Sequence, residues 1–382
     1  MKKHSIALRV SMLLALVMIA FVGLSGAAPV VRAQAANKTC AGEPMIGAPS
    51  GATPMASPAS GGAAAAAAPS FDKSKLNIAF LPKDVVNPYF AASAKGAQEA
   101  ATELGGKFQQ VGPQTPNASE QVTYIQTLTQ QNVNAIVLSA DDTNALAPSL
   151  KDAAAKGIKV ITFDSDVAHD ARVAFANQAD SEQIGRVEVQ IMGQELNCQG
   201  DIAILSAAST MTNQNTWIGY MKDELAKPGY EKMKLVEIAY GDDDPQKSYD
   251  KTVELLTAYP NLKGIISPTT VGMTAAAQAL EAEGRGGGSS NQVMLTGLDL
   301  PNQTRAYVKS GTVKAFALWN PSDLGYLAYY MAAYAINGQL TGKQGETFTA
   351  GKLGSYTVGA DGTVLLGPPF TFNADNIDQF NF

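Results

Sequence analysis

Six apolar runs along the chain each stop at a polar or charged residue, and a helical pattern follows almost every one. Residues 78–81 stop before Lys83, 160–163 before Asp164, and 202–205 before the polar stretch 206–215. Residues 265–266 stop before Pro268-Thr269-Thr270, 293–298 before Asp299, and 316–318 before Trp319-Asn320. Short runs that are apolar throughout, rather than alternating, mark strands buried on both faces of a sheet. In open α/β sheets ligands bind outside the carboxyl ends of such strands. A chain that repeats this design predicts a pocket for a small polar molecule.

The same pattern gives the order of elements. Strands are predicted at 76–81, 107–111, 135–138, 159–163 and 172–176, with helices at 89–104, 118–130 and 144–156 between them. Gly157 follows the third helix as a C-cap signal. A second set opens with helix 181–196. It continues with strands 201–205, 234–240, 264–266 and 292–298 and helices 212–225, 245–259 and 273–283. Pro245 suits a first helical turn. A short helix at 303–309, a strand at 313–318 and a helix at 322–336 precede a turn-rich tail. Strands alternating with helices imply parallel sheets covered on both faces. Two similar successive sets imply two such lobes, and no short-period repeat points to a solenoid.

The N-terminus changes the picture of where the protein works. Lys2, Lys3 and Arg9 precede an apolar stretch from Val10 to Leu24, and Val31-Arg32-Ala33 offers small residues at a cleavage site. This predicts an export signal over 1–33, read as cleaved in preference to a retained anchor. Residues 34–75 are rich in Ala, Pro, Ser and Gly, too poor in large apolar side chains to offset their ordering entropy, and read as a tether. Asn37-Lys38-Thr39 before Cys40 does not resemble a lipoprotein cleavage site. Export permits a bond between Cys40 and Cys198, although two cysteines make no disulfide scaffold, and the reading preferred from sequence leaves them unpaired. The chain carries 28 basic and 34 acidic residues, and the signal holds only basic ones. An acidic chain without basic clusters argues against nucleic acid and anionic membrane as partners.

Several chemistries lack their residues. Past the signal the one histidine is His169, so histidine catalysis and histidine-rich metal sites have little support. There is no G-x-S-x-G, H-E-x-x-H or P-loop motif, and Gly286-Gly287-Gly288 does not open a helix after a strand. Asp242-Asp243-Asp244 before Pro245 reads as acids complementing a helix dipole rather than as calcium ligands. Asp164-Ser165-Asp166, at a strand end, fits hydroxyl binding better than a metal. No metal or cofactor is expected. What remains suits a sugar. Hydroxyls both donate and accept, and Lys83, Asp164, Asn213 and Gln214 offer donors, acceptors and amides that do both. Tyr89, Phe90 and Trp319 can cover the apolar face of a ring.

These residues sit in segments that resemble the type I periplasmic solute-binding proteins of ABC importers, closest to the rhamnose-binding and autoinducer-2-binding branch. The segments are 78–83, 162–166, 212–217, 240–243, 267–270, 316–321 and 376–380, and the likeness runs from about Leu76 to Phe382. The resemblance implies an α/β fold of two Rossmann-like lobes with parallel sheets, joined by three hinge crossings near Asn177, Asp299 and Asn320. Lobe 1 would be 76–177 with 300–319, and lobe 2 would be 178–299 with 320–382. Carried over residue by residue, it implies ligand contacts from Lys83, Asp164, Asn213, Gln214, Pro268 and Thr270. Asp299 is added because sugar-binding relatives keep an acid there. Asn87, Tyr89 and Phe90 are added because Asn87-Pro88-Tyr89-Phe90 resembles a turn that brings aromatics to the sugar. Autoinducer-2 receptors have aspartate at Asn213 and alanine at Thr270, whereas the rhamnose branch resembles both runs here.

The function implied is a non-enzymatic, exported receptor of the periplasm or cell envelope, expected to be monomeric. It would capture a rhamnose-like deoxyhexose and pass it to a membrane permease. Autoinducer-2 uptake is the alternative. An effector domain of a transcription regulator is disfavoured by the export signal, and a sugar-modifying enzyme by the missing nucleophile–base pair.

Overall fold

The computed structural model describes residues 38–47 and 71–382. The predicted signal, 1–33, lies outside them, as does most of the predicted tether. The elements follow in chain order. The first unit holds β1 (Asn77–Leu81), α1 (Pro88–Leu104), β2 (Lys107–Gln110), α2 (Ala118–Gln130), β3 (Ala135–Leu138), α3 (Thr143–Ala155), β4 (Lys159–Phe163) and β5 (Ala174–Asn177). Then come α4 (Ser181–Glu195), β6 (Gln199–Ser206), α5 (Thr212–Leu225), β7 (Lys232–Tyr240), α6 (Pro245–Ala258), β8 (Leu262–Ser267), α7 (Thr270–Ala282) and β9 (Met294–Gly297). The chain ends with α8 (Pro301–Ser310), β10 (Ala315–Leu318), α9 (Pro321–Ile336), β11 (Thr347–Thr349), β12 (Ser355–Thr357), β13 (Thr363–Leu365) and β14 (Phe370–Asn373).

Lobe 1 is built on a parallel sheet in the order β13-β5-β4-β3-β1-β2. Its strands send alternate side chains to two cores, as a period of two requires. Ile78 and Phe80 pack on the α1–α9 side, while Ala79 and Leu81 join Ile125, Leu128, Leu146 and Leu150 from α2 and α3. Lobe 2 is built on β7-β6-β8-β9, also parallel. It is extended by β10 through the bridges Leu295–Val313 and Leu298–Ala317, and β14 then pairs antiparallel to β10. Both lobes are the expected α/β design.

The allocation of the last third of the chain differs from the expectation. β10 belongs to lobe 2, where 300–319 was expected in lobe 1, and α9 belongs to lobe 1, where 320–382 was expected in lobe 2. The chain crosses between lobes at 178–180, at 319–320 and at 366–369. Two of these crossings lie near Asn177 and Asn320. Asp299 is no crossing but lies inside lobe 2. The physical reason is α9, buried almost all round. It lies backbone-close against α1, where a Cβ on Gly96 would stand 1.7 Å from the Ser322 carbonyl oxygen and one on Gly325 1.8 Å from that of Ser93. These two glycines dock α9 on lobe 1.

The segment predicted as tether is also corrected in part. Residues 38–47 fold back on lobe 2, and Cys40 is disulfide-bonded to Cys198, 158 positions away, against the unpaired reading. Lys227 forms an ion pair with Glu43 at 2.7 Å, and the Ile46 amide donates to Gln190 Oε1 at 2.9 Å. Phe71 meets Tyr334 of α9 edge-on at 5.0 Å. The cysteine spacing carried no sign of this, because the partner is brought close by docking rather than by chain proximity. Among the described residues no helix is long and apolar enough to cross a membrane.

Candidate binding cleft between the lobes

The ends of β1 and β4 in lobe 1 face the ends of β6, β7 and β8 in lobe 2, and β10 delivers an aromatic to the crossing between them. The cleft encloses about 400 Å³ including its mouth.

Asp164 is the centre of the lobe 1 wall. It follows β4 in the left-handed region, φ 60°, which aspartate tolerates better than most residues. Its Oδ2 accepts from Ser139 Oγ at 2.7 Å and lies 3.5 Å from Lys83 Nζ, and its Oδ1 accepts from the Tyr89 hydroxyl at 3.3 Å. Lys83 is only 4 % exposed, which a lysine accepts when its ammonium is paired. That ammonium also donates across the cleft to Asn213 Oδ1 at 3.3 Å. Asn87 caps α1 by accepting from the Tyr89 amide at 3.0 Å, and the same oxygen accepts from Thr270 Oγ1 of lobe 2 at 3.2 Å. Thr143 Oγ1 donates to Thr212 Oγ1 at 3.0 Å, a third bond from lobe to lobe.

Lobe 2 adds amides and apolar walls. Gln214 Oε1 accepts from Ser206 Oγ at 2.6 Å and from the Ala207 amide at 2.9 Å, which orients its side chain. Trp319 Nε1 donates to the Tyr89 hydroxyl at 2.8 Å, and the two rings meet at 88°. Trp217 stands 6.1 Å from Trp319, and Phe90 packs edge-on against Tyr89 at 5.1 Å. Burial, and then the Asp164 charge, hold the Tyr89 phenol well above its usual range, so it stays a donor. Burial pushes Asp141 up to about 7 and Asp243 up to about 6, and raises Asp84, with Lys83 opposing the rise in all three.

The structure brings Lys83, Asn87, Tyr89, Phe90, Asp164, Asn213, Gln214, Pro268, Thr270 and Trp319 to this one cleft. Asp299 is not among its lining residues. It is fully buried below, where its carboxylate accepts from Thr304 Oγ1 at 2.6 Å, Thr274 Oγ1 at 3.0 Å and the Leu300 amide at 2.7 Å. Burial pushes it up to about 7. It ties α7 and α8 together and has no hydroxyl of a ligand to meet. Sequence reading missed Trp217, Asp243, Thr269, Leu298 and Leu318. Trp217 was findable: it is four residues from Asn213 on α5, hence on the same helix face. Leu298 and Leu318 had no polar signal. Asp243 was hidden in a run read as helix-dipole acids.

Among the described residues no group of three or more His, Cys, Asp or Glu is placed to hold a metal. The cleft offers carboxylates, amides and an ammonium over aromatic and leucine walls. This is chemistry for gripping a hydroxyl-rich ring. A periplasmic binding protein domain matches residues 78–340. The chain belongs to the periplasmic binding protein family. It is similar to a sugar ABC transporter protein from Actinomyces odontolyticus, at 43 % identity and TM-score 0.67, covering 82 % of this chain and 100 % of that one. It is similar to an ABC transporter solute-binding protein from Clostridium phytofermentas with bound L-rhamnose, at 38 % identity and TM-score 0.75, covering 79 % and 97 %. It is also similar to LsrB from Clostridium saccharobutylicum in complex with AI-2, at 26 % identity and TM-score 0.75, covering 80 % and 99 %. The two-lobed α/β architecture of this periplasmic binding protein has the parallel sheets that the strand–helix pattern implied and is the type I fold that the resemblance implied.

Proposed function

We propose that this periplasmic binding protein is the extracytoplasmic receptor of an ABC importer and captures a monosaccharide, with a 6-deoxyhexose such as L-rhamnose favoured. The observation that carries the reading is the cleft itself. Lys83 and Asp164 on one lobe and Asn213 and Gln214 on the other surround a space walled by Tyr89, Trp217, Trp319, Leu298 and Leu318. The polar groups suit ring hydroxyls, and the leucine and tryptophan surfaces suit a methyl group in place of a sixth hydroxyl. The 38 % identity to the L-rhamnose-bound protein supports the same choice. Export agrees with the Cys40–Cys198 bond, since such bonds persist in oxidising compartments. The receptor binds and releases its sugar unchanged, and the permease reads the closed arrangement of the lobes.

Autoinducer-2 is the second reading, favoured by the likeness to LsrB. Asn213 and Thr270 weigh against it. Isothermal titration of the protein lacking residues 1–33 against L-rhamnose, D-ribose, D-arabinose and autoinducer-2 decides. L-rhamnose should bind with a dissociation constant at or below about 1 μM, roughly −8 kcal/mol. Tight autoinducer-2 binding without rhamnose binding reverses the order, and binding of none of the four removes the sugar-receptor reading.

A further inference from the structure

The turn 241–244 holds three consecutive aspartates, and the helix that follows uses only one of them as a cap. Asp244 caps α6 by accepting from the Lys247 amide at 2.7 Å. Asp242 is exposed and paired with the Lys247 ammonium. Asp243 does neither: it faces the cleft. The backbone is set to send it there. Asp242 and Asp243 are both left-handed, φ 54° and 50°, and single residues rather than pairs normally adopt that conformation. The turn is pinned to lobe 2, with the Gly241 amide donating to the Ser206 carbonyl at 2.9 Å and the Asp242 amide to that of Ala207 at 3.2 Å.

A second feature concerns Thr269. It is the N-cap of α7, yet its side chain makes no capping bond. Its hydroxyl donates to Asp243 Oδ1 instead. A threonine cap stabilises a helix by about 1 kcal/mol, so giving it up for an aspartate in the cleft is a cost with a purpose. One carboxylate oxygen is thereby held, and a carboxylate accepts at both.

Lys83 and Asp164 of lobe 1 line the same cleft as Asp243, and Asp84 and Asp141, buried behind that wall on backbone amides of their own lobe, are near enough to couple to its charge. The cleft lining therefore sets one carboxylate on each lobe, Asp164 and Asp243, beside the single ammonium of Lys83. Like charges across a closing gap oppose closure. A ligand that donates hydroxyls to both walls removes that opposition, and one that brings a negative charge worsens it.

We propose that Asp243 is a specificity-determining ligand contact, taking a sugar hydroxyl from lobe 2 while Asp164 takes one from lobe 1, so that the cleft admits neutral sugars and excludes sugar acids. The inference rests on the sugar-receptor reading and adds to it the class of sugar and the residue that selects it. Protonation turns one of the two acceptor oxygens of Asp243 into a donor and removes the charge that strengthens the bond, so affinity falls as pH drops through the range in which it takes a proton, near 6.

The test is titration with L-rhamnose at pH 5, 6, 7 and 8, with D-glucuronate as the acid probe. Wild type should bind L-rhamnose at least tenfold more weakly at pH 5 than at pH 8 and should not bind D-glucuronate. Asp243→Asn should weaken L-rhamnose at least tenfold at pH 8 and flatten the profile below pH 7. Asp141→Asn and Asp84→Asn, which each remove a raised carboxyl coupled to this group from the lobe 1 side, should leave the limb near pH 6 in place. Thr269→Val keeps the acid and removes only its orienting hydroxyl. It should give a smaller loss with the pH limb retained, and it serves if Asp243→Asn does not fold, as thermal melts will tell. An Asp243→Asn protein that binds L-rhamnose like wild type with the same pH profile overturns the inference, as does D-glucuronate binding by wild type. A wild type that binds none of the neutral sugars instead overturns the receptor reading beneath it.

Discussion

Replacing Asp164 by asparagine removes one charge from the middle of the cleft and little else. The shape is kept, and asparagine tolerates the left-handed backbone at φ 60°, where alanine would add strain of its own. The charge is what Lys83 depends on. At 3.5 Å the attraction between the two is about 5 kcal/mol for an effective dielectric near 20. Both side chains are almost wholly buried, at 5 % and 7 % exposed. Removing one partner of such a pair costs roughly 3–5 kcal/mol, because the other is left charged and unpaired. Lys83 keeps Asn213 as an acceptor at 3.3 Å, and the cleft has a mouth, so the loss of folding stability should sit at the lower end, about 3 kcal/mol. Binding should weaken separately. A hydrogen bond to a charged group contributes about 1.5–3 kcal/mol, so affinity for L-rhamnose should fall roughly 10- to 150-fold. The discriminating variant is the double one, Lys83→Met with Asp164→Asn. It removes both charges and should recover most of the stability while leaving binding poor. Urea unfolding monitored by tryptophan fluorescence gives the first quantity and calorimetric titration the second. If Asp164→Asn overlays wild type in both, or if the double variant is less stable than either single one, the pair is not holding this site together.

Two further predictions concern the frame around the cleft. Cys40→Ser with Cys198→Ser frees a loop of 158 residues in the unfolded chain, an entropy of about 5 kcal/mol, but the native arm regains most of the same freedom when it undocks; the net loss should be about 1–2 kcal/mol, and reductant should reproduce it in wild type. An unchanged urea midpoint together with two titratable thiols in wild type would refute the bond. Stability should also fall from pH 5 to pH 8. Asp141 and Asp299 titrate near 7, Asp243 near 6 and Glu195 near 8, while Glu188 is buried with neither oxygen partnered and is raised well above its usual range. All five bind a proton in the folded state that the unfolded chain has released, so stability present below about pH 4.5 is lost as pH rises through the folded values. Glu188→Gln should therefore raise the melting temperature at pH 8 and change it little at pH 5, and equal shifts at both pH values would show that Glu188 is not buried neutral.

The lobes were legible because buried parallel strands carry no alternation to blur them. β1, β3 and β4 are buried along nearly their whole length and mostly apolar, and β1 and β4 stop where the chain turns toward the cleft, so Lys83 and Asp164 could be named from the break alone. The assignment of β10 and α9 was not legible. A strand reads the same whichever sheet it joins, and what decided the matter was a pair of bridges to β9 and two glycines whose lack of a side chain matters only once α1 and α9 touch. Asp299 failed for a related reason. It occupies the strand-end position that the rule marks, but three donors from α7, α8 and its own turn consume its oxygens, and no sequence rule counts donors that arrive from other elements.

The aspartate triplet shows where sequence rules lose resolution. A helix N-terminus explains acids as a class, so three in a row look like one observation with one cause. The structure gives them three separate tasks: an ion pair outside, a cap on the axis and a carboxylate in the cleft. The dipole argument holds for Asp244 and says nothing about Asp243, whose backbone is held left-handed and whose partner Thr269 leaves its own helix uncapped. Dipole complementarity is worth about 0.3–1 kcal/mol and is served equally by any acid in the first turn. The Thr269–Asp243 bond depends on one residue and one conformation. Where a weak, general preference and a specific, costly contact compete to explain the same residue, the contact that costs the fold something points to function.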